Sequence, residues 1–146
     1  MGSAVWSADL EVGLLWQDHQ HKRFFVIRDQ LARSSKLEDK RSFKLALLQL
    51  ENYVQDHFSL EEIYMNQSNY PGSADHFKEH QIFIHKLNRA KREFKLYLKE
   101  LAEEGYTGTN PWLDLSLDLE IWFVEHINGT DRRLANWIIS HPVQPT

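Results

Sequence analysis

The chain of 146 residues contains no cysteine. Disulfides, thiolate zinc sites, iron–sulfur clusters and cysteine nucleophiles are excluded with it. No apolar run approaches the roughly 20 residues that cross a bilayer as a helix. The opening stretch MGSAVWSADLEVG lacks the basic and apolar segments of a signal peptide. Charge of one sign is also scarce: the net charge is −4 and no basic cluster stands out in the sequence. That argues against nucleic acid and anionic membrane as partners, and a cytoplasmic location is expected. No segment alternates apolar and polar residues between hairpin turns, as strands do.

What is present is an ordinary globular balance, 42% hydrophobic and 26% charged, in a chain long enough for one domain with its own core. Aromatic residues reach 12% and histidines number 8. Many histidines without cysteine point to nitrogen and oxygen ligation, if a metal is bound at all.

Helical periodicity dominates. Phe43, Leu47, Leu50, Val54, His57, Glu61 and Met65 alternate steps of four and three, which is one stripe of a helix. A second stripe runs His76, His80, Phe83, Leu87, Ala90, Phe94, Tyr97 and Leu101. A shorter one, His21, Phe24, Ile27 and Leu31, follows Asp18. A last one runs Leu115, Leu119, Trp122, His126 and onward to Ile138. Ser34-Ser35, the stretch Asn69 to Ser73, the stretch Gly105 to Pro111, and Pro142 with Pro145 punctuate these runs. The pattern predicts an all-α fold, an antiparallel up-down four-helix bundle forming one domain over residues 1–146. Residues 1–16 are expected to be an N-terminal arm packed across the bundle, because Trp6, Leu10, Val12, Leu14, Leu15 and Trp16 are too apolar to be left in water. Residues 140–146 are expected to be a tail.

Every predicted core stripe carries histidine. His57 with Glu61 alone is equally well a surface pair, and His76 with His80 alone a polar face. All of them in phase with core stripes is another matter. Burying so many polar groups costs several kcal/mol unless each is satisfied, and a shared metal centre satisfies them together. One spacing departs from the rule. Asp131 follows His126 by five residues, about 140° around a regular helix. The apolar phase slips at the same place, continuing as Asp131, Leu134 and Ile138, one residue late. A local widening such as a π-bulge, near Gly129, reconciles both.

The set His21, His57-x-x-x-Glu61, His76-x-x-x-His80 and His126-x-x-x-x-Asp131 resembles the hemerythrins, specifically the bacterial single-domain ones. The likeness extends through VGLLWQDHQHKRFF, HFSLEEIYM, YPGSADHFKEHQIF and WFVEHINGTDRRLANW, and so through nearly the whole chain. It implies a hemerythrin-like bundle holding two non-haem irons about 3.5 Å apart. His76, His80 and His126 would bind one iron, and His21 and His57 the other. Glu61 and Asp131 would bridge them beside an oxo or hydroxo group. The second iron would be five-coordinate and would take dioxygen as hydroperoxide. The residue chemistry agrees: imidazole and carboxylate suit iron in both oxidation states. A histidine-rich set also lacks the extra carboxylates that stabilise the higher oxidation states of monooxygenases.

The resemblance implies an apolar dioxygen pocket at Phe24, Phe58, Trp122, Phe123 and Ile127, with Phe24 and Phe123 standing where the family more often has smaller aliphatic residues. It implies reversible dioxygen binding, as carrier, store or supply, rather than an enzyme, with an oxygen-consuming enzyme as client. The alternatives are a sensor of oxygen, nitric oxide or iron, or a weak peroxidase-like enzyme drawing a proton from Tyr53 or Tyr64. The segment 101–111 is longer than the family's usual loop and is open to three readings, a lid over one bundle end, a partner contact or a neutral insertion, of which the neutral one is favoured. His19, His85 and His141 are left outside the metal set, and Asp18 is read as a helix cap or an anchor for a ligand.

Overall fold

The computed structural model describes residues 6–104 and 112–141. A short 3-10 turn, Ala8–Leu10, leads into α1 (Leu15–Lys36), α2 (Lys40–Gln67) and α3 (Ser73–Glu104). The last arm of the bundle runs through α4 (Trp112–His126), a π-helical segment (Ile127–Asp131) and α5 (Arg132–Ser140) without leaving helical dihedrals at either junction. The main packing runs α1 on α2, α2 on α3, α3 on α4 and α4 back on α1, the ring of an up-down bundle. No strand occurs among the described residues, and no helix among them is long and apolar enough to cross a membrane.

Local chemistry sets the joints. Glu38 and Asn69 both take φ 52°, turning the chain after α1 and after α2. Asp39 caps α2, its carboxylate accepting from the Ser42 backbone N–H at 3.1 Å and from the Ser42 hydroxyl at 2.8 Å. Gly72 before α3 leaves room for the Tyr70 ring, which a Cβ there would meet at 2.7 Å. Ser34 and Ser35 do not end α1 as expected. They lie inside it, their hydroxyls returned to the carbonyls of Gln30 and Ala32.

The apolar stripes face inward as the periodicity predicts. Phe43, Leu47, Leu50 and Val54 of α2 meet Phe83, Leu87, Ala90 and Phe94 of α3, with Phe24, Ile27 and Leu31 of α1 and Leu119 of α4 completing the core. In the last arm Phe123 is fully buried while Trp122 beside it is half-buried. An ion pair from buried Arg28 to half-buried Glu120, at 2.8 Å, ties α1 to α4.

The arm is partly as expected. Leu10 and Val12 are buried, and Trp6 meets the Phe25 ring edge-on at 6.2 Å. Asp18 accepts from the backbone N–H of Val12 at 2.8 Å and of Gly13 at 3.2 Å, so it anchors the arm rather than a ligand. Arg132 donates to the carbonyls of Asp9 and Glu11. Helix α1 already begins at Leu15, however, and Leu15 is 87% exposed, against the expectation that its apolar side chain is covered.

Cations group at one place: Lys91, Arg92 and Lys95, close together on α3, border a groove with Lys44 of α2. The segment 105–111 lies outside the described residues, as does most of the tail.

Candidate metal centre

The seven expected ligand residues converge at one level of the bundle, and all are buried. Helix α1 supplies His21, α2 His57 and Glu61, α3 His76 and His80, α4 His126, and the end of the π segment Asp131. The π segment is what brings Asp131 inward. Its wider turn absorbs the extra residue, so that His126 and Asp131 meet at 2.8 Å, Nε2 to Oδ1, and Leu134 and Ile138 beyond it remain buried.

Each imidazole directs Nε2 at a carboxylate, and the carboxylates divide their oxygens between two groups of histidines. Glu61 Oε1 lies 3.2 Å from His76 and 3.0 Å from His80. Asp131 Oδ1 lies 3.1 Å from His76 and 2.8 Å from His126. On the other side Asp131 Oδ2 lies 2.8 Å from His21 and 3.3 Å from His57, and Glu61 Oε2 is 3.5 Å from His57. The result is two adjoining nests: Glu61, His76, His80, His126 and Asp131 in one, and His21, His57, Glu61 and Asp131 in the other, each with ligand atoms within 4.8 Å of one another. Either nest has the ligand number and type for a transition-metal ion, and both carboxylates are shared.

The hydrogen bonds behind the rings decide what the fronts need. His57 Nδ1 faces Gln20 Oε1 at 2.6 Å, His80 Nδ1 faces Glu62 at 2.9 Å, and His126 Nδ1 faces Glu79 at 3.0 Å. All three partners are acceptors, so Nδ1 carries the proton in each ring. In the neutral imidazole Nε2 is then a bare lone pair, and it points at carboxylate oxygens that are also acceptors. Such a face is repulsive unless a cation lies between. A metal ion fits the donor set, and the backing of these three rings by a carboxylate or amide is the arrangement that orients metal-bound histidine.

Without an ion the cluster can be satisfied only by protons. Burial works to lower the His76 pKa, but its bonds to Asp131 and Glu61 carry it up to about 9. His126 is likewise raised well above its usual value: Asp131, Glu61 and Glu79 outweigh burial. Burial pushes Glu61 and Asp131 up, and the Asp131 charge raises Glu61 further. The surrounding imidazoles nevertheless hold both carboxyls well below the usual range.

The aromatic surroundings are uneven. Phe24 and Phe123 lie face to face at 4.0 Å, and Phe123 approaches the His57 ring at 5.8 Å. Phe58 stacks on His80 at 3.8 Å, and Ile127 is fully buried beside His126. Trp122 departs from the expected pocket: half-buried, it lies flat on the outer side of the His126 ring at 4.7 Å. Tyr53 stacks on His57 at 5.5 Å, with its hydroxyl donated to the Gln20 carbonyl at 2.6 Å. Tyr64 stacks on Trp16 instead. His19, His85 and His141 are exposed.

Sequence reasoning missed Gln17, Gln20, Glu62 and Glu79. Their partners lie 18 to 47 residues away in the chain, so no local pattern marks them. The available signal is adjacency: Gln20, Glu62 and Glu79 each sit next to a ligand residue, on the flank of the same helix.

Comparison with known proteins agrees with this geometry. The family model described as the hemerythrin HHE cation binding domain matches residues 13–138. The bacteriohemerythrin of Stenotrophomonas maltophilia is 27% identical over 141 residues, covering 97% of this chain and 85% of that protein. The bacteriohemerythrin of Clostridium acetobutylicum is also 27% identical, over 88% of this chain and 95% of that protein. A crystal structure of a leucine-to-tyrosine mutant of hemerythrin superposes with a TM-score of 0.78 at 23% identity, covering 94% of this chain and 98% of that one; at that identity it speaks for the fold.

Proposed function

Because the chain belongs to the hemerythrin family, we propose that it binds dioxygen reversibly at a non-haem di-iron centre, as a carrier, store or supply, and is not an enzyme. The observation that carries this reading is the division of each carboxylate between a three-histidine and a two-histidine nest. Two ferrous ions, when bound, supply the electrons and the open coordination position that reversible dioxygen binding uses. His76, His80 and His126 would hold one ion, His21 and His57 the other, and Glu61 and Asp131 would bridge the pair.

The remaining residues favour binding over turnover. Phe24 and Phe123 on the two-histidine side, and Phe58 and Ile127 beside His80 and His126, present only hydrocarbon and keep water from the centre. None of them can give a proton. The Tyr53 hydroxyl is committed to the Gln20 carbonyl, and burial together with Asp131 and Glu61 raises its pKa well above the usual tyrosine range. A peroxidase would need a proton at the reacting oxygen.

The test is the visible spectrum of the iron-loaded, dithionite-reduced protein before air, after air and after argon purging. A charge-transfer band that comes with air and goes with argon is the expected result. Immediate, irreversible conversion to a ferric spectrum overturns reversible binding and moves the assignment to sensing or peroxide chemistry.

A further inference from the structure

We propose that Gln17 is a positioning residue of the metal centre, fixing the oxygen of Glu61 that serves the two-histidine nest. This rests on the di-iron reading above. Gln17 lies one turn before His21 on α1 and is fully buried. Its side-chain amide donates from Nε2 to Glu61 Oε2 at 2.7 Å. The other end of the same amide, Oε1, is buried with no hydrogen-bond partner among the described residues. An amide buried with half its hydrogen bonding unmet does little for the core, where an apolar side chain of similar size fits as well. Its one specific contact is with the shared carboxylate.

The contact is selective between the two oxygens. Oε1 of Glu61 is already placed by two imidazoles, those of His76 and His80. Oε2 has only the longer approach to His57, at 3.5 Å. The two-histidine nest is thus the one with fewer nitrogen donors and the less constrained carboxylate oxygen, and Gln17 supplies the missing constraint. The bundle's antiparallel topology places Gln17 at the level of Met65 and Leu134, one turn beyond Glu61 and Asp131. Phe24, one turn after His21, is at the opposite level. The centre therefore lies between a hydrocarbon wall and an amide floor. The amide orientation follows from the same contact: an ionised carboxylate accepts only, so Nε2 faces it and Oε1 faces away.

Anaerobic titration of the apo-protein with Fe(II), in competition with a chromophoric ferrous chelator, reads the two nests as two binding steps. In Gln17→Met the first step is expected to stay within about twofold of the parent, and the second to weaken by roughly 10-fold or more, the usual effect of removing a group that orients a ligand. The melting temperature of the apo-protein is expected to hold or rise. Both steps unchanged would overturn the proposal. So would both falling together with the apo melting temperature, since Gln17 would then be a packing residue. If the parent itself takes up fewer than two irons, the di-iron reading fails and this proposal with it, a result distinct from the other two. Should Gln17→Met not fold, the parent still decides. In the zinc-loaded protein the Gln17 side-chain N–H protons should exchange slowly with solvent by NMR. They should also shift with the second equivalent of zinc; exchange as fast as in a free glutamine side chain sinks the idea.

Discussion

Phe24 and Phe123 face each other across α1 and α4 with ring centroids 4.0 Å apart and planes 9° from parallel. Both are buried, and Phe123 also meets the edge of Phe83 and the ring of His57. Large side chains thus close the two-histidine side of the centre where the sequence suggests a departure from the family. Phe123→Ala is expected to cost about 3–5 kcal/mol of stability, as Phe-to-Ala changes in packed cores do. Urea unfolding of the apo-protein measures this. The same change opens a path to water, so the iron-loaded variant should convert to the ferric form several-fold faster in air by stopped-flow absorbance. A stability loss without faster oxidation would leave the pair as core alone.

Glu79 joins His126 Nδ1 to the Thr130 hydroxyl, and so spans the π segment. Its removal in Glu79→Ala frees the His126 ring to turn. Iron affinity should fall by roughly 10- to 100-fold by chelator competition, with helical content unchanged by circular dichroism. An affinity equal to the parent's would mean that packing against Trp122 alone orients the ring.

The same glutamate gives a pH dependence with a definite sign. The His126 hydrogen bond holds its pKa down to about 2 in the fold, below its ordinary unfolded value of about 4.3. A depressed carboxylate stabilises the fold above its unfolded pKa and loses that contribution as pH falls through the folded one. The melting temperature of the apo parent should therefore exceed that of Glu79→Gln at pH 6. The gap should close between about pH 4 and pH 2. A gap independent of pH would assign the difference to something other than charge.

Metal uptake should expel protons. In the metal-free cluster His76 titrates at about 9 and His126 well above its ordinary value. Both rings are then protonated at pH 7.5 and must shed a proton to become ligands. Calorimetric titration in buffers of different ionisation enthalpy should report release of at least the protons of these two rings. Release should diminish above about pH 9. No release at pH 7.5 would mean that the empty cluster relaxes away from this geometry.

The π segment can be tested by subtraction. Deleting the exposed Asn128 leaves His126 and Asp131 four residues apart, about 40° from one face of a regular helix. Leu134 and Ile138 then stay inward, and the apo-protein should melt at the parent temperature or above. Asp131 is then presented by a regular turn in place of the widened one, and iron stoichiometry should drop below two by elemental analysis. Full occupancy in the deletion variant would deprive the widened turn of any role in ligation.

These particulars explain what was legible in advance. The bundle and the seven converging residues could be read because burial imposes a period, and His57, Glu61, His76, His80 and His126 keep that period with their apolar neighbours. Even the π segment was visible, since Asp131, Leu134 and Ile138 slip together. Trp122 and Phe123 were harder. Adjacent aromatic residues straddle the boundary of one helix face, and a small rotation decides which is buried; here Phe123 is, while Trp122 covers His126 from outside. Leu15 is exposed although apolar because it begins a helix whose first turn points it outward. Gln20, Glu62 and Glu79 could not be assigned because a partner on another helix leaves no periodic trace. Charged or amide residues flanking a stripe look the same whether they meet water or the back of an imidazole.

Asp131 and Arg132 are consecutive, yet one turns its side chain into the centre and the other reaches out to the carbonyls of Asp9 and Glu11. The strap that fastens the arm and the bridge between the nests hang from the same peptide. A bulky fusion at the N-terminus that lifts the arm would therefore pull on a ligand more than 100 residues away in sequence. For anyone tagging this molecule, the arm is a place where a label reaches the metal centre.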